Sequence, residues 1–204
     1  MRVIVPFAAD TPKTRLSTVL EAAERRGFAR AMLADVLSTL RETGVDPEVL
    51  ATAPLEVDSP TTVDERTLTD AVNAVLAESG EPVAVVMADL ALATPASVER
   101  LLEADGDVSI APGRGGGTNA LVVRHPDFRV DYHGVSYRDH LRAAREVGAT
   151  VRTIDSHRLA TDVDEPVDLA EVLIHGDGEA RVWLADRGFE LAVEEGRVGV
   201  ERRQ

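Results

Sequence analysis

Cysteine is missing from the 204-residue chain, which excludes disulfides, thiolate zinc sites, iron–sulfur clusters and a cysteine nucleophile. No apolar run approaches the ~18 residues of a membrane helix, and Met1-Arg2-Val3-Ile4-Val5-Pro6 is too short for a signal peptide, so a soluble, cytoplasmic protein is expected. A basic stripe is lacking too. With 22 Lys+Arg against 36 Asp+Glu, a formal charge of −14 and a pI near 4.7, the chain is a poor partner for nucleic acid or anionic lipid. His125, His133, His140, His157 and His175 show no HExxH spacing and read as surface or supporting residues rather than metal ligands. No Gly-x-Ser-x-Gly elbow occurs, which argues against a serine hydrolase.

What the chain does contain is acid and arginine. Among its 22 cations only Lys13 is a lysine, and the carboxylates are spread along the whole length. Such a composition suits a salt-rich cytoplasm, where negative charge keeps protein soluble and high ionic strength screens the self-repulsion. A GC-rich genome also favours arginine over lysine. The length fits one domain, able to bury roughly 70% of its unfolded surface.

Hydrophobic patterning alternates between strand and helix. Val3-Ile4-Val5, closed by Pro6, predicts a buried strand, and Ala29, Met32, Leu33, Val36, Leu37 and Leu40 recur at helical spacing before a capping Gly44. Residues 48–52 are expected as a second strand, and Leu68, Ala71, Val72, Val75 and Leu76 as a helix closed by Gly80. Pro82–Met87 is a near-continuous apolar strand, and Thr94-Pro95 supplies a cap and first turn for a helix carrying Val98, Leu101 and Leu102. Strands near 107–111 and 120–123 flank a glycine-rich loop. A helix near 137–147, a strand near 150–154 and a helix from about Pro166 follow, and 178–204 reads as a less regular C-terminal extension. The pattern predicts a single α/β domain over 1–204, a mostly parallel twisted sheet with helices on both faces.

Ligands in such sheets bind beyond the carboxyl ends of the strands, which singles out four loops. Pro6–Ser17 places Lys13 and Arg15 at the end of the first strand. It lacks the glycines of a P-loop, and its two cations suit a polyphosphate or are simply solvated. Asp89 emerges from the most apolar strand, as a magnesium ligand or as a residue leading into the helix at Pro95. Pro112–Ala120 is a glycine-rich segment whose amides, with Thr118 and Asn119, suit an anion. Its misplaced third glycine rules out a dinucleotide fingerprint, and the alternative is a plain hairpin connection. Asp162-Val163-Asp164-Glu165-Pro166 alternates acids before a helix, where Asp162 and Asp164 join Asp89 around a metal, or Asp164 or Glu165 caps the helix.

These elements resemble the 2-phospho-L-lactate guanylyltransferases of the deazaflavin coenzyme F-420 pathway, relatives of the molybdopterin and sugar-phosphate nucleotidyltransferases. The resemblance runs from Val3 to about Leu169 and rests on Lys13-Thr14-Arg15-Leu16-Ser17, Ala88-Asp89-Leu90, Gly116-Gly117-Thr118-Asn119-Ala120-Leu121, Tyr132–Tyr137 with His140, and Asp162-Val163-Asp164 before Pro166. This chain has Leu68-Thr69 where the family often carries Asn, so the resemblance assigns no base-reading residue there. It implies a nucleotide-diphospho-sugar transferase (GT-A/Rossmann-like) fold. The phosphate of a small 2-phosphorylated acid attacks the α-phosphorus of GTP and expels pyrophosphate, without need of a general base. The roles it implies are nucleotide binding by Pro6, Phe7, Lys13, Arg15, Gly116 and Gly117, catalysis by Lys13, Arg15 and Asp89, acceptor binding by Thr118, Asn119, Gly134 and Ser136, and Mg²⁺ on Asp89, Asp162 and Asp164. It also implies a homodimer, to which Val182, Trp183, Leu184, Phe189, Leu191 and Val193 could lend apolar surface unless they cover the chain's own sheet. The labile product would pass by transient contact to a downstream transferase carrying the deazaflavin acceptor. Phosphoenolpyruvate or 3-phosphoglycerate as acceptor remains open. A sugar-phosphate or molybdopterin nucleotidyltransferase is disfavoured by the missing glycine-rich signature after the first strand, and a silent nucleotide-binding regulator by the retained cations and carboxylates.

Overall fold

Alternation along the central strands feeds two cores on opposite faces of one sheet. Val3, Val5, Ala84, Val86, Ala120 and Val122 pack on one side, and Ile4, Val83, Val85, Leu121 and Val123 on the other. Burial of both faces is why these strands read as continuous apolar runs. The computed structural model describes residues 1–10, 12–194 and 196–203; Thr11 of the first predicted loop and Gln204 lie outside the described residues.

The sheet is built from β1 (Arg2–Phe7), β2 (Pro47–Ala51), β3 (Thr61–Val63), β4 (Val83–Val86), β5 (Val108–Pro112), β6 (Thr118–Val123) and β7 (Val151–Thr153), ordered β3-β2-β1-β4-β6-β5-β7. Only β6 runs antiparallel to its neighbours, so the sheet is mostly parallel, as the pattern predicts. The helices are α1 (Ala22–Glu42), α2 (Leu68–Glu78), α3 (Pro95–Leu102), α4 (Ser136–Glu146), α5 (His157–Ala160), α6 (Asp168–His175) and α7 (Glu179–Asp186). Residues of α2 and α4 pack on the Ile4 face, and those of the other helices on the Val3 face. β1 lies between β2 and β4, and its two flanking crossovers use opposite faces, so the loops after β1 and β4 part at the carboxyl edge and leave a crevice.

Local signals account for most element ends. Thr94 Oγ1 accepts from the Ser97 amide while Ser97 Oγ accepts from the Thr94 amide, a reciprocal cap ahead of Pro95. Three features lie outside the predicted pattern. β3 is a three-residue edge strand with exposed Thr62 and Val63, α5 is a single turn too short to show a period although Ser156 Oγ caps it by accepting from the Leu159 amide, and the C-terminal residues expected to be irregular form α7 and a hairpin of β8 (Phe189–Glu194) and β9 (Arg197–Arg202). α7 lies on α1, where the Trp183 ring stands 5.3 Å from that of Phe28. Its N-terminus is capped from another helix: Asp35 of α1 accepts from the Glu179 amide at 2.6 Å and the Ala180 amide at 2.9 Å. A cap of this kind contributes about 1 kcal/mol, and Gly178 is required because a Cβ there would collide with the Asp35 carboxylate. Among the described residues, no helix is long and apolar enough to cross a membrane.

Candidate active site

Lys13 sits in the left-handed backbone region (φ 55°, ψ 45°), the only non-glycine residue with positive φ among those described. A lysine gains nothing locally from this conformation, which costs of order 1 kcal/mol, and surrounding structure must hold it there. The Leu16 amide donates to the Lys13 carbonyl at 3.0 Å, and the fully buried Leu16 side chain anchors the turn. The ammonium is thereby turned inward, with its side chain only 10% exposed, and donates at 2.6 Å to both Asp89 Oδ2 and Asp164 Oδ1. Burial disfavours its charge, but the two carboxylates outweigh burial and raise its pKa. The solvated-surface reading fails for Lys13 and fits Arg15, which is 67% exposed and reaches only Asp164, at 3.2 Å.

Asp89 follows β4, and burial pushes its carboxyl above the usual range; the Lys13 charge opposes that shift, and Asp164 and Asp162 add to it. Among the described residues Asp89 Oδ1 is buried with no hydrogen-bond partner. Asp162 does not share the ammonium; it accepts from Asn119 Nδ2 at 3.0 Å. The segment carrying Asp162 and Asp164 is tied down by the Val163 amide, which donates to the Asp89 carbonyl, and by the fully buried Val163 side chain between the two acids. Neither Asp164 nor Glu165 caps α6. Instead Asp168 Oδ2 accepts from both of their amides, and Asp168 Oδ1 takes a bond from Arg114 at 2.7 Å. Asp89 and Asp164, with one orphaned carboxylate oxygen and a single ammonium between them, make an oxygen-only set that suits a hard divalent cation, whereas the carboxylates of Asp89, Asp162 and Asp164 do not all come within 4.8 Å of one another.

The glycine-rich loop turns the β5–β6 hairpin. Gly113 is needed for contact rather than flexibility: a Cβ would lie 2.5 Å from Asn119 Oδ1 and displace the side chain that holds Asp162. Thr118 is buried with its Oγ1 2.8 Å from His140 Nδ1, and the Asp131 amide donates to His140 Nε2. Nε2 is thus an acceptor, so Nδ1 carries the proton and donates to Thr118. Burial holds this imidazole down at a pKa of about 4, against the pull of Asp131 and Asp139. No side chain caps α4, whose first residue, the buried Ser136, lies beside the loop; the Tyr137 amide donates to the Gly116 carbonyl at 3.2 Å.

On the other side of Lys13 opens a cavity of about 330 Å³. Phe7, Met32, Leu50 and Met87 contribute apolar lining, and Thr52, Asp64, Arg66, Lys13, Asp89 and Asp164 polar lining. The Arg66 guanidinium forks onto both Asp64 oxygens, at 2.5 to 3.1 Å, and holds that carboxyl below its usual range.

The sequence profile described as guanylyl transferase CofC like matches residues 1–203. The chain belongs to that family. Among individual relatives, a protein of Halomicrobium mukohataei named 2-phospho-L-lactate guanylyltransferase is 65% identical over 202 residues, covering 99% of this chain and 100% of its own. One of the same name from Haloferax volcanii is 58% identical over 205 residues, with both chains fully covered. Solved structures agree on the fold alone. A Desulfovibrio desulfuricans chain assigned to the nucleotide-diphospho-sugar transferases superposes with a TM-score of 0.73 at 16% identity, over 91% of this chain and 94% of that one. A nucleotidyl transferase from Methanothermobacter gives 0.58 at 14% identity, over 85% and 96%.

Within this CofC-like chain, the fold brings Lys13, Arg15, Asp89 and Asp164 together, while Asp162 is held apart from the ammonium by Asn119. Pro6 and Phe7 line the cavity. Gly116 and Gly117 do not; they lie in the hairpin turn with Thr118, on the side of α4, Gly134 and Ser136. Sequence reasoning missed Asp64 and Arg66 altogether. Both follow the short edge strand β3, and no periodicity marks three residues reading Thr-Thr-Val.

Proposed function

We propose that the protein transfers GMP from GTP to (2S)-2-phospholactate, forming lactyl-2-diphospho-5'-guanosine and releasing pyrophosphate, in the assembly of coenzyme F-420. The names of its relatives support the reaction, and the observation that carries it is the Lys13 ammonium buried between Asp89 and Asp164 in the lining of a mostly apolar cavity. The cavity takes the nucleoside. Its lining includes Asp64, whose carboxylate, on leaving the Arg66 fork, accepts at once from the N1–H and 2-amino group of guanine, donors that adenine does not present together. Lys13 and Arg15 meet the triphosphate. The acceptor's phosphate and carboxylate lie on the far side, against neutral donors from Thr118, Gly134, Ser136 and the glycine turn at the uncapped start of α4.

Asp89, Asp164 and Asp162 would hold Mg²⁺, which when bound neutralises charge on the triphosphate and the departing pyrophosphate. An acceptor phosphate oxygen forms the new bond to the α-phosphorus as the bond to the β-phosphate oxygen breaks. The phosphate dianion is already nucleophilic, so the residues need only align the reactants and stabilise charge. Incubation with GTP and Mg²⁺ plus 2-phospholactate, phosphoenolpyruvate or 3-phosphoglycerate, with pyrophosphate as readout, tests the assignment. Highest kcat/KM with 2-phospholactate is expected, and preference for another acid would replace the acceptor.

The dimer inferred from the family has structural support in the hairpin. Phe189, Leu191, Val193, Val198 and Val200 share one of its faces; Phe189 is buried at its base, whereas Leu191, Val193 and Val198 are exposed toward its tip. Trp183 and Leu184 pack against the chain's own core and lend nothing to an interface. Light scattering at high salt should give twice 21.9 kDa, and a monomer mass at every concentration would refute the dimer. The activated diphosphate then passes to the transferase carrying the deazaflavin acceptor by transient encounter.

A further inference from the structure

His157 opens α5, and Glu171 and His175, four residues apart, share one face of α6. Nothing in the proposed transfer uses them. The ligand atoms of these three side chains all lie within 4.8 Å of one another, the only His or carboxylate group among the described residues to do so. Both imidazoles converge on the same oxygen: His157 Nε2 is 3.6 Å and His175 Nε2 3.7 Å from Glu171 Oε2. Their rings stand nearly perpendicular, at 80°, with centroids 5.4 Å apart. A tetrahedral ion with bonds of about 2.0–2.1 Å has ligand-to-ligand edges of roughly 3.4 Å, close to the two spacings already present.

We infer that His157, Glu171 and His175 form a second metal site, for a divalent transition ion of the zinc class. Two imidazoles and one carboxylate suit such an ion, whereas the aspartates beside Lys13 offer only oxygen and suit a hard one. The cluster is partly exposed, with His157 at 52%, His175 at 41% and Glu171 at 27%, which leaves a fourth position for water. The second Glu171 oxygen faces away, toward Arg114 Nη1 at 4.0 Å. The site bridges the two ends of one loop: α5 and α6 flank the segment 161–167 that carries Asp162 and Asp164. An ion on His157 and on α6 therefore clamps the loop that presents the carboxylates of the active site.

Cobalt(II) is the direct probe, because its tetrahedral complexes absorb visible light strongly. Untagged protein at high salt, with Mg²⁺ in large excess to occupy the aspartates, is titrated with Co²⁺ and back-titrated with Zn²⁺. The expected result is one equivalent of Co²⁺ with a visible band abolished by Zn²⁺, and binding weakened at least about tenfold in His157→Ala and in His175→Ala, both surface changes that leave the melting curve unaltered without metal. Absence of the band, or equal binding by wild type and both variants, would overturn the site. Hydrogen exchange tests the clamp: Zn²⁺ should slow exchange of amides 161–167 in wild type and not in His157→Ala. Unchanged exchange on Zn²⁺ binding would overturn that role.

Discussion

A single lysine among 22 basic residues is placed in a backbone conformation that disfavours it, and its ammonium is sealed between two carboxylates. Arginine would not substitute: a planar guanidinium directs its donors in a fixed fork, whereas an ammonium meets two acceptors and a phosphate as a point charge. Lys13→Ala removes a charge-assisted contact contributing roughly 1.5–3 kcal/mol, so kcat/KM should fall on the order of tenfold to over a hundredfold, measured by pyrophosphate release. A loss under about twofold would return Lys13 to a merely structural role. Base choice belongs to the same scale. Asp64→Asn replaces one accepting oxygen with a donor, and the preference for GTP over ATP should drop at least about tenfold in kcat/KM, the worth of one good hydrogen-bond pair. Equal discrimination in the variant would exclude Asp64 from reading the base.

At the scale of elements, His140 joins three of them: it stands on α4, donates to Thr118 at the start of β6 and accepts from the Asp131 amide in the preceding loop. Its lowered pKa makes that junction sensitive to acid. In the unfolded chain the imidazole takes up a proton below pH 6.5, while in the folded protein it resists until about 4. The unfolded state binds more protons across that window, so stability is full above it and falls as pH drops through it, by roughly 3 kcal/mol from this group. Denaturant unfolding at stepped pH should show the slope, and His140→Gln, though less stable overall, should flatten it between about pH 5 and 6.5. An identical slope in the variant would assign it to other groups. The Asp35 cap on α7 makes the same point about elements: on helical spacing Asp35 is an outward polar residue of α1, and only the docking of α7 gives it a partner.

The whole molecule carries a formal charge of −14, with acids spread along the whole chain. At molar salt the screening length shrinks toward ~3 Å, and there this repulsion is nearly cancelled. Melting temperature and activity should therefore both rise from dilute buffer to molar salt. A flat melting curve across that range would leave the arginine-rich composition to codon usage alone.

Much was determined by sequence alone. Long apolar periods place β1, β4, α1, α2 and α3, the cap at Thr94-Pro95 places a helix start, and the carboxyl-end rule directs attention to the loops of Lys13, Asp89, Gly116 and Asp164. These signals are local, set by hydrophobic burial and backbone capping within a few residues. Tertiary structure alone decided the rest, because it depends on partners distant in the chain. Lys13 meets Asp89 across 76 positions because the neighbouring parallel strands β1 and β4 end on the same edge, and meets Asp164 across 151 because the segment between α5 and α6 is tied to the Asp89 carbonyl through the Val163 amide. Asp64 and Arg66 reach the cavity through an edge strand too short and polar to show a period. His157 meets Glu171 and His175 because α5 and α6 fold back on each other, a pairing that no HExxH spacing would reveal. Periodicity reports which face of an element is buried; which side chains then meet is set by how the chain closes its long loops.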